Sequence, residues 1–410
     1  MFRYIKNSLY VEGVPVKNLA ESLGTPLYLY SKNQILDNFG KFDGAFRRFP
    51  RLICYALKAN SNLSVARALS REGAGADIVS GGELYRALLA GFSPGKIVFS
   101  GVGKTREEMR YALKARILMF NVESLEELSA LDDAARSLGQ KAPVALRVNP
   151  DVPAGTHRHI TTGTAENKFG IHKNDIFEAY RKARSLKNLE VLGIQAHIGS
   201  QITSAAPFVT LLKTLLKYAR ELARQGIRLK TMDVGGGLGI TYHKESPPSP
   251  NELARSFEPH LKGKDLTLLF EPGRFLVGNA GILVTKVLYR KQTGRKHFVI
   301  VDAAMNDLAR PALYDAYHEI VPVIRKSRRK ERMDVVGPVC ESGDYFARGR
   351  EIGVPDIGEY LAIESAGAYG FAMSSQYNSR PRAAEVLVSG RKWQVARARE
   401  TWKDLVRGEN

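Results

Sequence analysis

The chain has 410 residues, 44% of them hydrophobic and 25% charged, a soluble globular composition long enough for two domains. No apolar run approaches the ~18 residues of a membrane span, and Met1-Phe2-Arg3-Tyr4-Ile5-Lys6-Asn7 lacks the apolar core of a signal peptide, so a cytoplasmic protein with no membrane partner is expected. Two cysteines, Cys54 and Cys340, argue against a disulfide scaffold, and the basic residues behind the net charge of +19 are spread along the chain with neither zinc-ligand spacing nor a nucleic-acid-binding signature.

In chain order, residues 8–14 read as a strand, and a short helical pattern ends near Gly24. Residues 25–30 lead into a helix over 31–46 with Ser31 as its N-cap. From residue 52 short apolar or β-branched runs alternate with helical periods. Strands are expected at 52–57, 76–79, 96–99, 116–120, 144–148, 191–197, 231–234 and 267–270, with helices at 61–72, 82–90, 106–114, 124–138, 174–185 and 206–225. Eight strands in this alternation predict an α/β fold, a parallel (β/α)8 TIM-like barrel over 25–280. The segment Pro247-Pro248-Ser249-Pro250 reads as a stiff exposed loop. After Gly281, strand-like runs at 282–289, 297–301, 333–336, 359–363, 385–388 and 392–398 are divided by Gly, Asp and Ser turns. They predict a second, mainly antiparallel β domain over 281–410, completed by residues 1–24, in which the basic run 325–332 is a solvated loop.

Polar residues and glycines gather just after the barrel strands, where such folds place their chemistry. Lys58 closes the first run; burial there favours a neutral amine fit for Schiff-base chemistry, the plainer reading being a lysine that snorkels to solvent. Gly235-Gly236-Gly237 lets backbone amides approach an anion, with Arg274 as countercharge, or else makes an ordinary tight turn. Glu271 either pairs with Arg274 or meets a protonated ring nitrogen, and His197 is either a satisfied core histidine or a ring that stacks on another. A lysine, a phosphate cradle, a carboxylate and a stacking imidazole together point to pyridoxal 5'-phosphate as cofactor.

The chain resembles the alanine-racemase-like (type III) pyridoxal-phosphate decarboxylases from about Gly24 to Arg397. In the barrel the resemblance is carried by Tyr55-Ala56-Leu57-Lys58-Ala59-Asn60, Asn167-Lys168-Phe169-Gly170-Ile171, His197-Ile198-Gly199-Ser200-Gln201, Gly235-Gly236-Gly237 and Glu271-Pro272-Gly273-Arg274. Beyond it the segments 305–314, 337–344 and 367–370 are more specific; Ala304 departs from a glycine common in related chains. The resemblance implies that Lys58 is the Schiff-base lysine, that His197 stacks on the cofactor and that Glu271 meets the pyridine nitrogen. It places Ser200, Gly236, Gly237, Gly273 and Arg274 around the phosphate and adds Asp77 and Tyr369 to the cofactor contacts. It also implies a homodimer whose active sites are shared, with Cys340, Glu341 and Tyr369 coming from the partner chain.

The same resemblance implies the substrate, meso-2,6-diaminopimelate, decarboxylated to L-lysine and CO2 in the last step of lysine biosynthesis. One end of that molecule reacts and the other is recognised, which takes cations for the distal carboxylate and a carboxylate for the distal ammonium. Arg310, Tyr314 and Glu341 match those roles, with Arg274 and Tyr369 also at the substrate, and Cys340 matches the proton donor. Decarboxylation of ornithine, arginine or carboxynorspermidine on the same fold is the alternative, and a non-catalytic pyridoxal-phosphate carrier a more distant one. Glu271 argues against an amino-acid racemase, which does not want a strongly electron-withdrawing ring.

Overall fold

The computed structural model describes residues 1–152 and 167–410. The chain divides into two compact units, one of residues 38–240 and 246–275, the other of residues 1–37, 241–245 and 276–410.

The first unit holds eight parallel strands, Arg51–Ala56, Gly75–Ile78, Ile97–Phe99, Met119–Val122, Ala142–Asn149, Leu189–Gln195, Thr231–Asp233 and Thr267–Phe270. Each pairs with the next, and the eighth pairs with the first, Leu268 opposite Arg51, so the sheet closes into a barrel. The strands are short and almost wholly buried, the pattern of a sheet covered on both faces. The helices between them are amphipathic: Ala206–Arg224 buries Phe208, Leu211, Leu212, Leu215 and Leu222 at helical spacing. Asn62, Ser80, Thr105 and Ser124 each cap the helix that follows a strand by accepting a backbone N–H.

Three local departures from expectation have physical causes. Arg116 takes a left-handed conformation, φ 57°, to end the helix Arg106–Ala115, so the fourth strand starts at Met119 and Asn121 lies within it. The first strand stops at Ala56, and Leu57–Ala59 forms a 3-10 turn that carries Lys58 past the strand end. The expected loop at 247–250 runs directly into a helix, Pro250–Leu261, because Ser249 and Glu252 form a capping box and Pro250 suits the first helical turn.

In the second unit the long strand Gly281–Thr293 pairs antiparallel with Leu27–Ser31, Lys296–Val301 and Tyr360–Ile363. Residues 27–31 therefore belong to this sheet and not to the barrel; all five are buried, which only an interior strand provides. Ser31 does cap the next helix, its Oγ accepting from the Gln34 N–H at 3.1 Å. The basic run 325–332 is not all loop. A strand, Lys330–Val336, starts inside it and pairs with Tyr345–Gly353, whose Arg348, Gly349 and Arg350 hide its strand character. Arg328 donates to the Val354 carbonyl at 2.5 Å and to Asp356 and Glu359 at 2.9 and 2.5 Å. Leu9, Val11 and Leu19 pack with Leu29, Ile282, Val284 and Val386 in the core of this unit. No helix among the described residues is long and apolar enough to cross a membrane.

Candidate active site

At the carboxyl end of the barrel, Lys58 Nζ donates to Asp77 Oδ2 at 2.5 Å. Asp77 is fully buried and the lysine side chain is 36% exposed. An opposite charge at this distance favours the ammonium, and the 3-10 turn leaves Lys58 only partly desolvated.

Six strands contribute buried polar side chains to the same end: Asp77, Ser100, Asn121, Gln195, Asp233 and Glu271. Glu271 Oε1 accepts from Asn121 Nδ2 at 3.1 Å and Ser100 Oγ at 3.3 Å, and Oε2 accepts from Gln195 Nε2 at 3.2 Å. Burial pushes the Glu271 carboxyl well above the usual carboxylate range, and the charges of Asp233 and Asp77 push it further. Burial likewise raises Asp233 to about 6, although the Gly235 amide donates to its Oδ1 at 2.8 Å. Two carboxyl groups so placed share a proton. Ser100, Asn121, Gln195 and Asp233 are absent from the site read from sequence; the signal for each was a polar residue ending or following an otherwise apolar run.

His197 follows the sixth strand. The Gly236 N–H donates to its Nδ1 at 3.2 Å, which puts the ring proton on Nε2. Burial, with Arg147 and Lys58 nearby, holds this imidazole well below its ordinary pKa, so the ring is neutral. Gly236 is required by backbone approach: a Cβ there would stand 2.2 Å from the Glu271 carbonyl oxygen. Gly237, at φ 109°, sits in a region open mainly to glycine. Gln201 joins the loops after strands six and seven, donating to the Ile240 carbonyl at 2.6 Å and accepting from the Ile240 N–H at 3.1 Å. Within this frame the buried Arg274 donates to Ser200 Oγ from Nε at 3.3 Å and Nη2 at 2.9 Å. Gly273 begins the same segment, packed against Ala59 and Ala56.

The segment 167–171 is a brace. Arg147 on the fifth strand pairs with Glu123 at 2.7 Å, both buried, and its guanidinium lies 4.7 Å from the Phe169 ring. The Gly170 N–H reaches the other oxygen of Glu123 at 3.1 Å.

The remaining expected residues lie in the second unit. Arg310 is buried and opens a short helix that ends at Tyr314, which is half-buried. Cys340 and Glu341 are exposed; the Cys340 N–H donates to Asn378 Oδ1 at 2.8 Å. The buried cysteine is the other one, Cys54, whose thiol burial pushes far up. Asp344 ties the two specific segments together, accepting from the Met305 N–H and the Val339 N–H, both at 2.7 Å. Tyr369 is held at φ 56°, a strained conformation of the kind that clusters at functional sites.

The barrel residues fit pyridoxal phosphate. Asp77 Oδ1, Asn121 Oδ1 and Gln195 Oε1 are buried acceptors without a donor, beside a carboxyl group that carries a shared proton. A flat neutral imidazole and a buried guanidinium–hydroxyl pair complete the groups that an aromatic nitrogen base and a phosphate need.

Comparison with known proteins agrees. Residues 32–278 match the model of the pyridoxal-dependent decarboxylase pyridoxal binding domain. Over its whole length and 98% of the relative's, the chain is 51% identical to a diaminopimelate decarboxylase of Pseudomonas aeruginosa. It is similar to the crystal structure of diaminopimelate decarboxylase from M. jannaschii in co-complex with L-lysine, with TM-score 0.96, 39% identity and coverage of 100% of this chain and 98% of that one. The Helicobacter pylori diaminopimelate decarboxylase complexed with L-lysine gives TM-score 0.92 at 44% identity, covering 95% and 98%.

Proposed function

The chain belongs to the diaminopimelate decarboxylase family of pyridoxal-dependent decarboxylases, and on that premise we propose that it decarboxylates meso-2,6-diaminopimelate to L-lysine and CO2, the last step of lysine biosynthesis. The observation that carries the reading is Glu271: a buried carboxyl group of raised pKa, oriented by Ser100, Asn121 and Gln195 in the barrel that also holds Lys58 and Arg274. When bound, pyridoxal phosphate supplies the electron sink for the carbanion that loss of CO2 leaves.

The residues take these roles. Lys58 would hold the cofactor, and Asp77 pairs with the Lys58 amine and orients it. Glu271, oriented by Ser100, Asn121 and Gln195, would face the ring nitrogen of the cofactor and keep it protonated. His197, kept neutral by burial and oriented by the Gly236 N–H, would stack on the ring of the cofactor. Ser200, Gly236, Gly237, Gly273 and Arg274 bind the phosphate, with Tyr369 beside them. Arg310 and Tyr314, helped by Arg274 and Tyr369, take the substrate carboxylate, and Glu341 takes the distal ammonium. Cys340 Sγ delivers the proton to carbon. The active sites are shared in a homodimer, Cys340, Glu341 and Tyr369 serving the partner's barrel.

The test is CO2 release by the cofactor-loaded protein from meso-diaminopimelate, L-ornithine, L-arginine and L-lysine, with Lys58→Ala as control. Release from diaminopimelate alone, lost in the control, is the expected result. Release from L-ornithine or L-arginine would keep the fold and overturn the distal-carboxylate argument.

A further inference from the structure

Two side chains, His318 and Tyr242, stand against the Arg310 guanidinium. Its Nη1 lies 2.9 Å from His318 Nε2, and His318 Nδ1 lies 2.7 Å from the Glu364 carbonyl oxygen. A carbonyl only accepts, so Nδ1 carries the proton and Nε2 accepts from the guanidinium. His318 is fully buried. The guanidinium carbon stands 4.5 Å from the centre of the Tyr242 ring, which meets the His318 ring edge-on at 5.3 Å. Tyr242 is in turn fixed by a turn over 241–245. Glu245 Oε2 accepts from the Tyr242 N–H at 3.0 Å and the His243 N–H at 2.7 Å, and Thr241 Oγ1 donates to the Glu245 carbonyl at 2.9 Å. Of the two contacts to Arg310, one takes an edge of the guanidinium and the other covers a face, which orients it.

We propose that His318 and Tyr242 are positioning residues that seat Arg310 and so set the preference for a ligand with a carboxylate at its distal end. The proposal rests on the role given to Arg310 above. A planar guanidinium binds a carboxylate through its direction, so a seat that fails by a fraction of an ångström loses carboxylate recognition while leaving recognition of an amine alone intact.

The test compares two ligands of the holoenzyme by calorimetric titration: L-lysine, which has the distal carboxylate, and pentane-1,5-diamine, which lacks it. His318→Phe keeps the bulk and removes the acceptor. Expected is a loss of L-lysine affinity of about 10-fold or more, the size of a hydrogen bond to a charged group, with less than about 2-fold change for the diamine. His318→Gln, which restores an acceptor, is expected to recover most of the loss. Equal weakening of both ligands, or no recovery with Gln, would overturn the proposal. If His318→Phe does not fold, Tyr242→Leu is read in the same way. Arg310→Ala separates the two levels. If it leaves L-lysine binding intact, the role of Arg310 falls and the seat with it; if it weakens L-lysine and the seat variants do not, the seat alone falls.

Discussion

Burying two carboxyl groups side by side makes them compete for a proton, and Glu271 and Asp233 make that competition part of the site. Asp233 titrates near 6 in the fold against an ordinary 3.8, so its contribution to stability is fully present below the ordinary value and is lost as pH rises through about 6. The cofactor-free protein is thus expected to lose stability between about pH 4 and 6. Asp233→Asn keeps an acceptor for the Gly235 amide and is expected to flatten that slope in urea unfolding series across pH. At Cys340 the exposed thiol is expected to matter for the proton and not for the fold. Cys340→Ala should leave the unfolding midpoint within about 0.5 kcal/mol while turnover falls and a portion of the product is no longer L-lysine; normal turnover and product would name another donor. Residue identities at this scale were legible where a rare type sat at a strand end, as for Lys58, His197 and Glu271. Gln195 and Asp233 were not, because each is enclosed in a run that reads as plain strand until the barrel closes and turns them toward Glu271; Asn121 stood just after the run 116–120 but named no role by itself.

Elements position these residues through loops that have little room. At Gly236 an added methyl would meet the Glu271 backbone, not a movable side chain, so strands seven and eight would have to part. Gly236→Ala is expected to cost about 1–3 kcal/mol and to weaken cofactor binding, read together by urea unfolding of the cofactor-free protein and by titration with pyridoxal phosphate. A change in stability with unaltered cofactor affinity would confine the loop to a structural role. Most barrel helices were readable from period because each is long enough to repeat it, and the strands, some only three residues long, were readable as apolar runs between them. Pro250–Leu261 was not, since its start is three prolines and a serine; only the Ser249–Glu252 capping box distinguishes a helix start from a loop. Ser249→Ala is expected to lower stability by about 1 kcal/mol. The strand 27–31 escaped for another reason. Its partners are more than 250 residues away in sequence, so only the folded sheet assigns it to the second unit.

At the scale of the whole molecule, the residues proposed for one reaction are divided between two units, Lys58, Glu271 and Arg274 in the barrel and Cys340, Glu341 and Tyr369 in the β unit. Cys340 and Glu341 are exposed on the single chain. A proton donor and a recognition carboxylate act well only where water is excluded, so their exposure argues that another copy of the chain covers them. A shared site has a consequence that a self-contained site lacks. Lys58→Ala is expected to be inactive and Cys340→Ala to be impaired in forming L-lysine as homodimers, because every site then lacks one of the two groups. In a mixed dimer, one site receives both defects and the other receives neither. Co-refolding the two variants in equal amounts yields half mixed dimers by random pairing, hence about a quarter of the wild-type sites. L-lysine formation from meso-diaminopimelate near that fraction of the wild-type rate, above the level of either variant alone, is the expected outcome. Sites complete within one chain would give no recovery at any mixing ratio, because no chain in the mixture carries both groups.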